Sequence, residues 1–406
     1  MLTPKSILRT LPLLFLGALC GHAYRVVPAP VETHEGEVTD IRIVDHADNL
    51  PGFYRIWQPF IAQWGDRGGN RRHLVVAYGA MLFGKGDMGD ILVSVSRDDG
   101  DNWSDPIHVF NHRERQGMLQ FAYANPVLFK PEGHDVLWCF AMRSPLTPRN
   151  SEEGQLVAAY SPDGGFSWIP VEMAMHYTGH LITNAGIVET TIRGQKRYLL
   201  PAHRNTLQKD EFGDREHFVL SSSNLLEWRL EAFIPQPAEG PRVFLHEGNI
   251  APGDNPGELK IVMRTAGYED TGLTTNPPRA YSSVSRNGGR TWSPAVPEPD
   301  LHNAKAKGFF GQMKDGTHIY VYNDGPQQRD FTWEGWPHGG RTSLRFKIKT
   351  PGGKWGEERT FFHAGIKNSY PTLIEVAPGE FRAVWDSGTK DTPRTHIHFG
   401  KLNLNK

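Results

Sequence analysis

Cysteine is almost missing from this sequence, because its 406 residues include two, Cys20 and Cys139. A disulfide would need both, and Cys20 lies in an N-terminal segment that we expect to be removed. Cys139 stands inside the apolar run DVLWCFAM, where a cysteine behaves as a small buried apolar residue. The mature chain must therefore hold its fold through its hydrophobic core, without a disulfide framework.

An excess of charge of one sign is also absent. The formal net charge is −1, from 44 basic and 45 acidic residues. This balance excludes nucleic-acid binding by bulk electrostatics and a polybasic membrane-binding surface. None of the 18 histidines has zinc-like spacing, although His396 and His398 would share one face of a strand. We expect no metal and no cofactor.

The apolar run near the N-terminus, LPLLFLGALC, is too short to span a bilayer comfortably. Lys5 and Arg9 precede it, and a small-x-small site ends at Ala23. This pattern predicts a secretory signal peptide over residues 1–23, cleaved after Ala23. Lipid attachment at Cys20 is the less favoured alternative, since bulky Leu19 precedes it. We therefore expect a secreted or periplasmic protein with no transmembrane segment after cleavage.

Turn-forming residues are abundant, with 43 glycines and 30 prolines, and one turn pattern repeats. Ser96-x-Asp98-x-Gly100-x-x-Trp103 returns as YSPDGGFSW and VSRNGGRTW, and more weakly as SSSNLLEW and IKTPGGKW. The tryptophans stand at 103, 168, 228, 292 and 355, so the intervals are 65, 60, 64 and 63 residues. Each copy follows an apolar strand pattern. About 64 residues per repeat is typical of a four-stranded propeller blade.

The period predicts an all-β fold: a six-bladed β-propeller with four-stranded antiparallel blades, formed as a single domain by residues 24–406. Strands near the two termini would pair to close the ring, which removes open sheet edges. In the repeated turn we expect the Asp98 side chain to bond backbone N–H groups and Gly100 to adopt a positive φ. We expect the turns on the outer rim of the blades, away from any chemistry.

This repeat resembles the Asp-box of the sialidase superfamily. The resemblance implies three arginines that hold a substrate carboxylate, a Tyr–Glu nucleophile and an aspartate acid/base. Arg55 in GFYRIWQP is similar to the family's first arginine, although Trp57 replaces a proline. Glu247 and Arg264, 17 residues apart, resemble its Glu…Arg hairpin. Arg341 is the preferred third arginine, with Arg329 as runner-up.

The remaining roles fall on a tyrosine and an aspartate. Tyr370 in NSYPTLIEV resembles the nucleophile, with Pro371 replacing the commoner serine. Asp87 and Asp90 both lie in the loop where the family has its acid/base, and Asp87 is preferred because glycines flank it. The loop lacks the second arginine of the family's motif.

The resemblance implies a monomeric, retaining exo-glycosidase acting on a glycan with a terminal acidic sugar such as sialic acid. A lyase or glycosidase for uronic-acid glycans stays open, because His246, His302 or His338 could supply a base. A non-catalytic glycan-binding propeller is the third alternative. Four further residues are expected near the mouth of the propeller, where the arginines could contact an anionic sugar and the tryptophans could stack on sugar rings: Arg143, Arg204, Trp333 and Trp336.

Overall fold

The computed structural model of the protein is built almost entirely of β-strands. It describes residues 24–25, 34–66, 71–84, 87–116, 119–146, 154–177, 181–183, 185–205, 215–240, 242–266, 279–303, 306–323, 332–333, 336–337, 341–364, 367–388 and 396–405. The first elements are β1 (Tyr24–Arg25), β2 (Thr39–His46) and a 3₁₀ turn at Ala47–Asn49.

Three blades follow in chain order. The first contains β3 (Phe53–Asp66), β4 (Arg72–Leu82), β5 (Gly89–Ser96) and, after the short β6 (Trp103–Ser104) that pairs with β1, β7 (Ile107–Phe110). After β8 (Arg115–Gln116), the second contains β9 (Leu119–Phe129), β10 (Leu137–Pro145), β11 (Gln155–Ser161) and β12 (Ile169–Val171). The third contains β13 (Ala174–Met175), β14 (Ile182–Thr183), β15 (Val188–Ile192), β16 (Gln195–Asn205), β17 (Arg215–Ser222) and β18 (Glu227–Phe233); β14 and β15 both pair with β16.

The other three blades have the same plan. The fourth is β19 (Phe244–Pro252), β20 (Leu259–Ala266), β21 (Arg279–Ser285) and β22 (Val296–His302). The fifth is β23 (Phe309–Gln312), β24 (His318–Asn323), the separate hairpin β25 (Thr332–Trp333) and β26 (Trp336–Pro337), β27 (Ser343–Lys349) and β28 (Arg359–His363). The sixth is β29 (Lys367–Ala377), β30 (Glu380–Gly388) and β31 (His396–Asn403), completed by β2. The predicted six-bladed β-propeller is confirmed.

The ring closes where strands from opposite ends of the sequence pair. β2 runs antiparallel to β31, with Thr39 opposite Lys401 and His46 opposite His396. The apolar core is divided among the blade interfaces, and each neighbouring pair of blades encloses its own buried cluster. At the closing interface, for example, Val384 and Phe399 of blade 6 pack with Val76 and Leu92 of blade 1. The same kind of burial therefore stabilises the closing interface and the five others.

The repeated turns have the predicted chemistry. In the first copy, Ser96 Oγ donates to Asp98 Oδ1 over 2.8 Å and accepts from the Gly100 N–H over 2.8 Å. Asp98 Oδ1 also accepts from the Asn102 N–H over 2.9 Å. Gly100 has a φ of 91°, and a Cβ there would meet the Phe399 ring at 2.2 Å. The turn therefore requires glycine both for its backbone conformation and for the packing of blade 6 against blade 1.

One residue of this turn, Asp99, has a further role that the repeated pattern did not predict. Asp99 is 1% exposed, and its carboxylate accepts hydrogen bonds from Arg382 Nε over 2.8 Å and Nη2 over 2.5 Å. Lys401 Nζ lies 3.4 Å from the same carboxylate. Arg382 and Lys401 belong to β30 and β31, so this turn is an ionic link between the first and last blades.

Candidate active site

The innermost strand of every blade contributes to a central cavity of about 470 Å³. Phe60, Leu128, Ile250, Phe310 and Leu373 are among its lining residues. Just before these residues, the strand register shifts in β3, β9, β19 and β29. Such bulges re-aim side chains at the rims of closed sheets. Two of the predicted site residues, Glu247 and Tyr370, stand at these register shifts.

Tyr370 and Glu247 stand on the bulges of β29 and β19, in the left-handed backbone region, with φ values of 56° and 51°. This region is unfavourable for residues other than glycine, and such strain persists only where the surrounding structure enforces it. The two bulges bring residues 123 positions apart into contact, because Tyr370 Oη donates to Glu247 Oε1 over 3.2 Å. Strain at two contacting side chains is a reason to look for function there.

Arg264 completes this contact from the end of β20. Its Nη1 lies 2.6 Å from Glu247 Oε2 and 3.5 Å from Tyr370 Oη. β20 pairs with β19 so that Arg264 stands opposite His246, which puts the guanidinium beside the neighbouring Glu247. The predicted Glu…Arg hairpin is therefore present, and the structure brings Tyr370 to it.

The charge on Glu247 is set by its surroundings. Glu247 is 7% exposed, and burial alone would raise its pKa. The positive charge and hydrogen bond of Arg264, followed by the charges of Arg341 and Lys307, outweigh burial and hold the pKa of Glu247 below its ordinary value. The carboxylate is therefore ionised at neutral pH and can accept the Tyr370 hydrogen bond.

Of the other two predicted arginines, Arg341 lies against Tyr370 and Arg55 is buried on β3. Arg341 is 8% exposed, stands two residues before β27 and has its Cζ 5.8 Å from the centre of the Tyr370 ring. Arg55 is 5% exposed and packs over the Tyr54 ring at 4.4 Å. Two residues along β3 and on the same face, Trp57 contacts the Tyr370 ring edge-on at 5.6 Å. Arginines from two blades, Arg264 and Arg341, therefore lie beside one tyrosine, an arrangement suited to an anionic group.

The two candidate aspartates have different surroundings. Asp90 is 1% exposed on β5, and its Oδ1 accepts from the His112 N–H over 2.8 Å. Its Oδ2 lies 3.1 Å from His108 Nδ1, so Asp90 connects β5 with β7 and the following turn. Asp87 is exposed in the turn between β4 and β5. Of the two carboxylates, Asp87 is the one accessible to a ligand from solvent.

Several other candidates are engaged in structural contacts. Arg143 donates to Gln155 Oε1 over 3.2 Å, and Arg204 donates to Glu216 Oε2 over 2.8 Å. His246 is 1% exposed and packs edge-on against His203 at 5.4 Å, so its ring is not open to solvent. His302 ends β22 and is half-buried.

The remaining candidates give less information. His396 and His398 are side by side, 4.5 Å between ring centres, at the closing strands. Trp333 and Trp336 are opposite each other in the β25–β26 hairpin, and their side chains lie outside the described residues, as do Arg329 and His338.

Lys307 also reaches this cluster, and it was not among the residues predicted from the sequence. Lys307 is 2% exposed and precedes β23, the innermost strand of blade 5. A signal for it exists, because a residue followed by proline or glycine recurs at the corresponding point of five innermost strands. The pairs are Gln58-Pro59, Asn125-Pro126, Glu247-Gly248, Lys307-Gly308 and Tyr370-Pro371. This second repeat marks the residues around one end of the cavity.

Within the part of the chain that the structure describes, no group of three or more His, Cys, Asp or Glu side chains is placed to hold a metal ion. The described residues also contain no helix long and apolar enough to cross a bilayer.

Fold and site together define a class: Asp-box propellers with a tyrosine, a glutamate and arginines at one end of the central cavity. The family model described as a BNR repeat-like domain matches residues 72–383, and the chain belongs to this family. The BNR-repeat propeller suggested by the turns is thereby confirmed. No curated protein matches the chain.

Solved structures share the fold at low sequence identity. A protein of unknown function from Dyadobacter fermentans has a TM-score of 0.64 at 15% identity, covering 91% of this chain and 99% of its own. The leech intramolecular trans-sialidase, complexed with 2,7-anhydro-Neu5Ac, has a TM-score of 0.64 at 13% identity, covering 90% and 70%. An alpha-L-arabinofuranosidase from Fusarium graminearum has a TM-score of 0.59 at 11% identity, covering 94% and 99%. At these identities the likeness shows the fold alone.

Proposed function

We propose that this protein is a retaining exo-glycosidase that removes a terminal acidic sugar, a sialic acid, from glycans. The observation that carries the proposal is the contact of Tyr370 Oη with Glu247, whose other oxygen is held by Arg264. A phenol beside an ionised carboxylate can act as a nucleophile once its proton is accepted. Among retaining glycosidases, a tyrosine nucleophile is the exception that sialidases use.

The reaction uses the described residues in two steps. Tyr370 Oη attacks the anomeric carbon while its proton passes to Glu247, and Asp87 protonates the oxygen of the leaving sugar. The resulting bond between the sugar and Tyr370 is then hydrolysed. Asp87 takes a proton from the attacking water, and Glu247 returns one to the Tyr370 oxygen. Both residues end in their starting protonation states.

The buried arginines favour an acidic sugar over a neutral one. Sialic acid has a carboxylate on its anomeric carbon, which would repel a carboxylate nucleophile and makes the neutral phenol of Tyr370 the suitable group. Arg264 and Arg341 lie beside that phenol. Arg55 stands two residues before Trp57, which contacts the Tyr370 ring. Guanidinium groups bind carboxylates with two parallel hydrogen bonds, which fixes the orientation of the sugar. The arabinofuranosidase neighbour acts on a neutral sugar, so the fold by itself does not choose between the two.

Purified protein should therefore release the fluorophore from a 4-methylumbelliferyl sialoside and not from the corresponding arabinofuranoside. Tyr370→Phe keeps the ring but removes the nucleophile, and we expect at least a hundredfold loss of kcat/KM. Tyr160→Phe is the matched control, because Tyr160 lies on β11 with its ring packed on Trp138. It should retain wild-type turnover.

Three outcomes would overturn the proposal. Absence of sialoside turnover by the wild type would remove sialic acid as the substrate. Formation of an unsaturated, ultraviolet-absorbing product from uronic-acid glycans would instead identify a lyase. Binding of glycans without any turnover would identify a non-catalytic glycan-binding propeller.

A further inference from the structure

Lys307 is a buried lysine without a role in the reaction above. It is 2% exposed, and its Nζ donates to Thr372 Oγ1 over 3.3 Å. Thr372 stands two residues after Tyr370 on β29, and its hydroxyl donates to the Pro59 carbonyl oxygen over 3.0 Å. The lysine side chain therefore extends from blade 5 to the strand that bears Tyr370, which is itself bonded to blade 1.

The backbone next to Lys307 is hydrogen-bonded to blade 4, on the other side of blade 5 from blade 6. Asn249 Nδ2 donates to the Gly308 carbonyl oxygen over 3.0 Å. Asn249 stands two residues after Glu247 on β19. Blade 5 is consequently bonded at one point both to the strand of Glu247 and to the strand of Tyr370.

The charges facing Lys307 connect it with the site. Two buried carboxylates, Glu247 and Asp386, attract its ammonium. Asp386 is fully buried and accepts hydrogen bonds from the Ser369 hydroxyl and, over 3.4 Å, from the Gln58 N–H. Arg264 and Arg341 are the other positive charges acting on Glu247. Burial lowers the pKa of Lys307 to about 8 against this attraction, so the lysine carries a charge at neutral pH.

We propose that Lys307 is a positioning residue of this site: it fixes the strand of Tyr370 relative to that of Glu247, and its ammonium is a charge partner of the Glu247 carboxylate. Its effect on turnover rests on the proposed function. Its coupling to Glu247 is independent of catalysis and can be measured without a substrate.

A double-mutant cycle on the free energy of unfolding tests the coupling. In the wild type, Glu247→Gln removes one of the two carboxylates that attract the buried Lys307 ammonium. In Lys307→Met the ammonium is already absent, so Glu247→Gln has no such interaction to remove. The destabilisation by Glu247→Gln should therefore be smaller in the Lys307→Met protein. Lys354→Met is the matched control, because Lys354 is exposed, and it should leave the effect of Glu247→Gln unchanged. Equal effects of Glu247→Gln in all three backgrounds would overturn the proposal.

The pH dependence of turnover tests the role in the site. Lys307→Met removes one positive charge acting on Glu247, so the pKa of Glu247 should rise and the acid limb of kcat should move up by about one pH unit. Thr372→Val removes the hydrogen bond and keeps the charge, so its acid limb should stay in place while kcat falls. A wild-type acid limb in Lys307→Met would contradict the proposal. Absence of turnover in every variant and the wild type would refute the proposed substrate, and the unfolding cycle would still decide the role of Lys307.

Discussion

At the scale of single residues, the site consists of side chains whose neighbours are distant in sequence. Tyr370 meets Glu247 and Arg264 from another blade, and each of the two strained residues has a backbone conformation that costs about 1–2 kcal/mol. The roles of Tyr370 and of its partners could be predicted only through the family resemblance. Lys307 was missed because a lysine before a glycine suggests no role by itself, and its signal emerges only when the corresponding pairs of five innermost strands are compared.

Glu247→Gln tests the residue that accepts the proton. Glutamine retains an oxygen near Tyr370 but cannot take up its proton, so kcat should fall by about 10²–10⁴-fold. The acid limb that reports ionisation of Glu247 should also disappear, as measured in the pH profile of sialoside turnover.

Glu357→Gln is the matched control for that variant. Glu357 is exposed in the turn between β27 and β28, and its replacement should leave both kcat and the profile unchanged. A Glu247→Gln protein with wild-type kcat would remove Glu247 from the mechanism.

At the scale of elements, the repeated turn serves two purposes that its sequence does not distinguish. Asp98 and its counterparts Asp163 and Asn287 stabilise the turn itself by accepting backbone hydrogen bonds. Asp99 of the first copy is outside the repeated pattern and is the buried ion-pair partner of Arg382. The spacing of the turns was sufficient to predict six blades. A contact between the first and last blades has no such periodic signal.

Adjacent aspartates therefore allow a matched comparison. Asp98→Ala removes hydrogen bonds from a partly exposed turn and should cost about 1 kcal/mol of unfolding free energy. Asp99→Ala leaves Arg382 buried without its carboxylate and should cost about 3–5 kcal/mol. Denaturant unfolding of both variants measures the difference. Neither change touches the site, so substrate affinity of the folded fraction should stay at the wild-type value, and a selective loss of affinity would contradict this division of roles.

At the scale of the whole molecule, ring closure introduces a dependence on pH. His396 and His398 of β31 are buried where β31 pairs with β2, and His396 stacks on His46 of β2. Burial lowers the pKa of His396 to about 4 and the pKa of His398 well below its ordinary 6.5. Repulsion from His46 adds to the effect at His396, and repulsion from His396 and His34 adds to it at His398. The fold holds both imidazoles neutral, whereas the unfolded chain protonates them near pH 6.5.

The free energy of unfolding should consequently fall in acid, because both histidines lie at the pairing of β2 with β31. Stability from these groups is complete above pH 6.5 and falls by about 1.4 kcal/mol per pH unit per histidine as pH decreases toward 4. His396→Gln should lower the slope of unfolding free energy against pH in this range by about 1.4 kcal/mol per pH unit. Denaturant unfolding between pH 7 and pH 4.5 measures it.

His134→Gln, at an exposed turn, is the control and should keep the wild-type slope. If His396→Gln also kept that slope, His396 would not be one of the groups whose pKa burial lowers.

The closing pair of strands has a mechanical consequence as well. Since β2 and β31 are antiparallel, Thr39 and Lys401 lie at the same end of the pair, and His46 and His396 lie at the other. Tension applied between Thr39 and Lys401 would load the hydrogen bonds between β2 and β31 one after another and not together, because both points lie at the same end of the antiparallel pair. Such a pull would therefore separate the closing pair stepwise, starting at Thr39 and Lys401 and ending at His46 and His396.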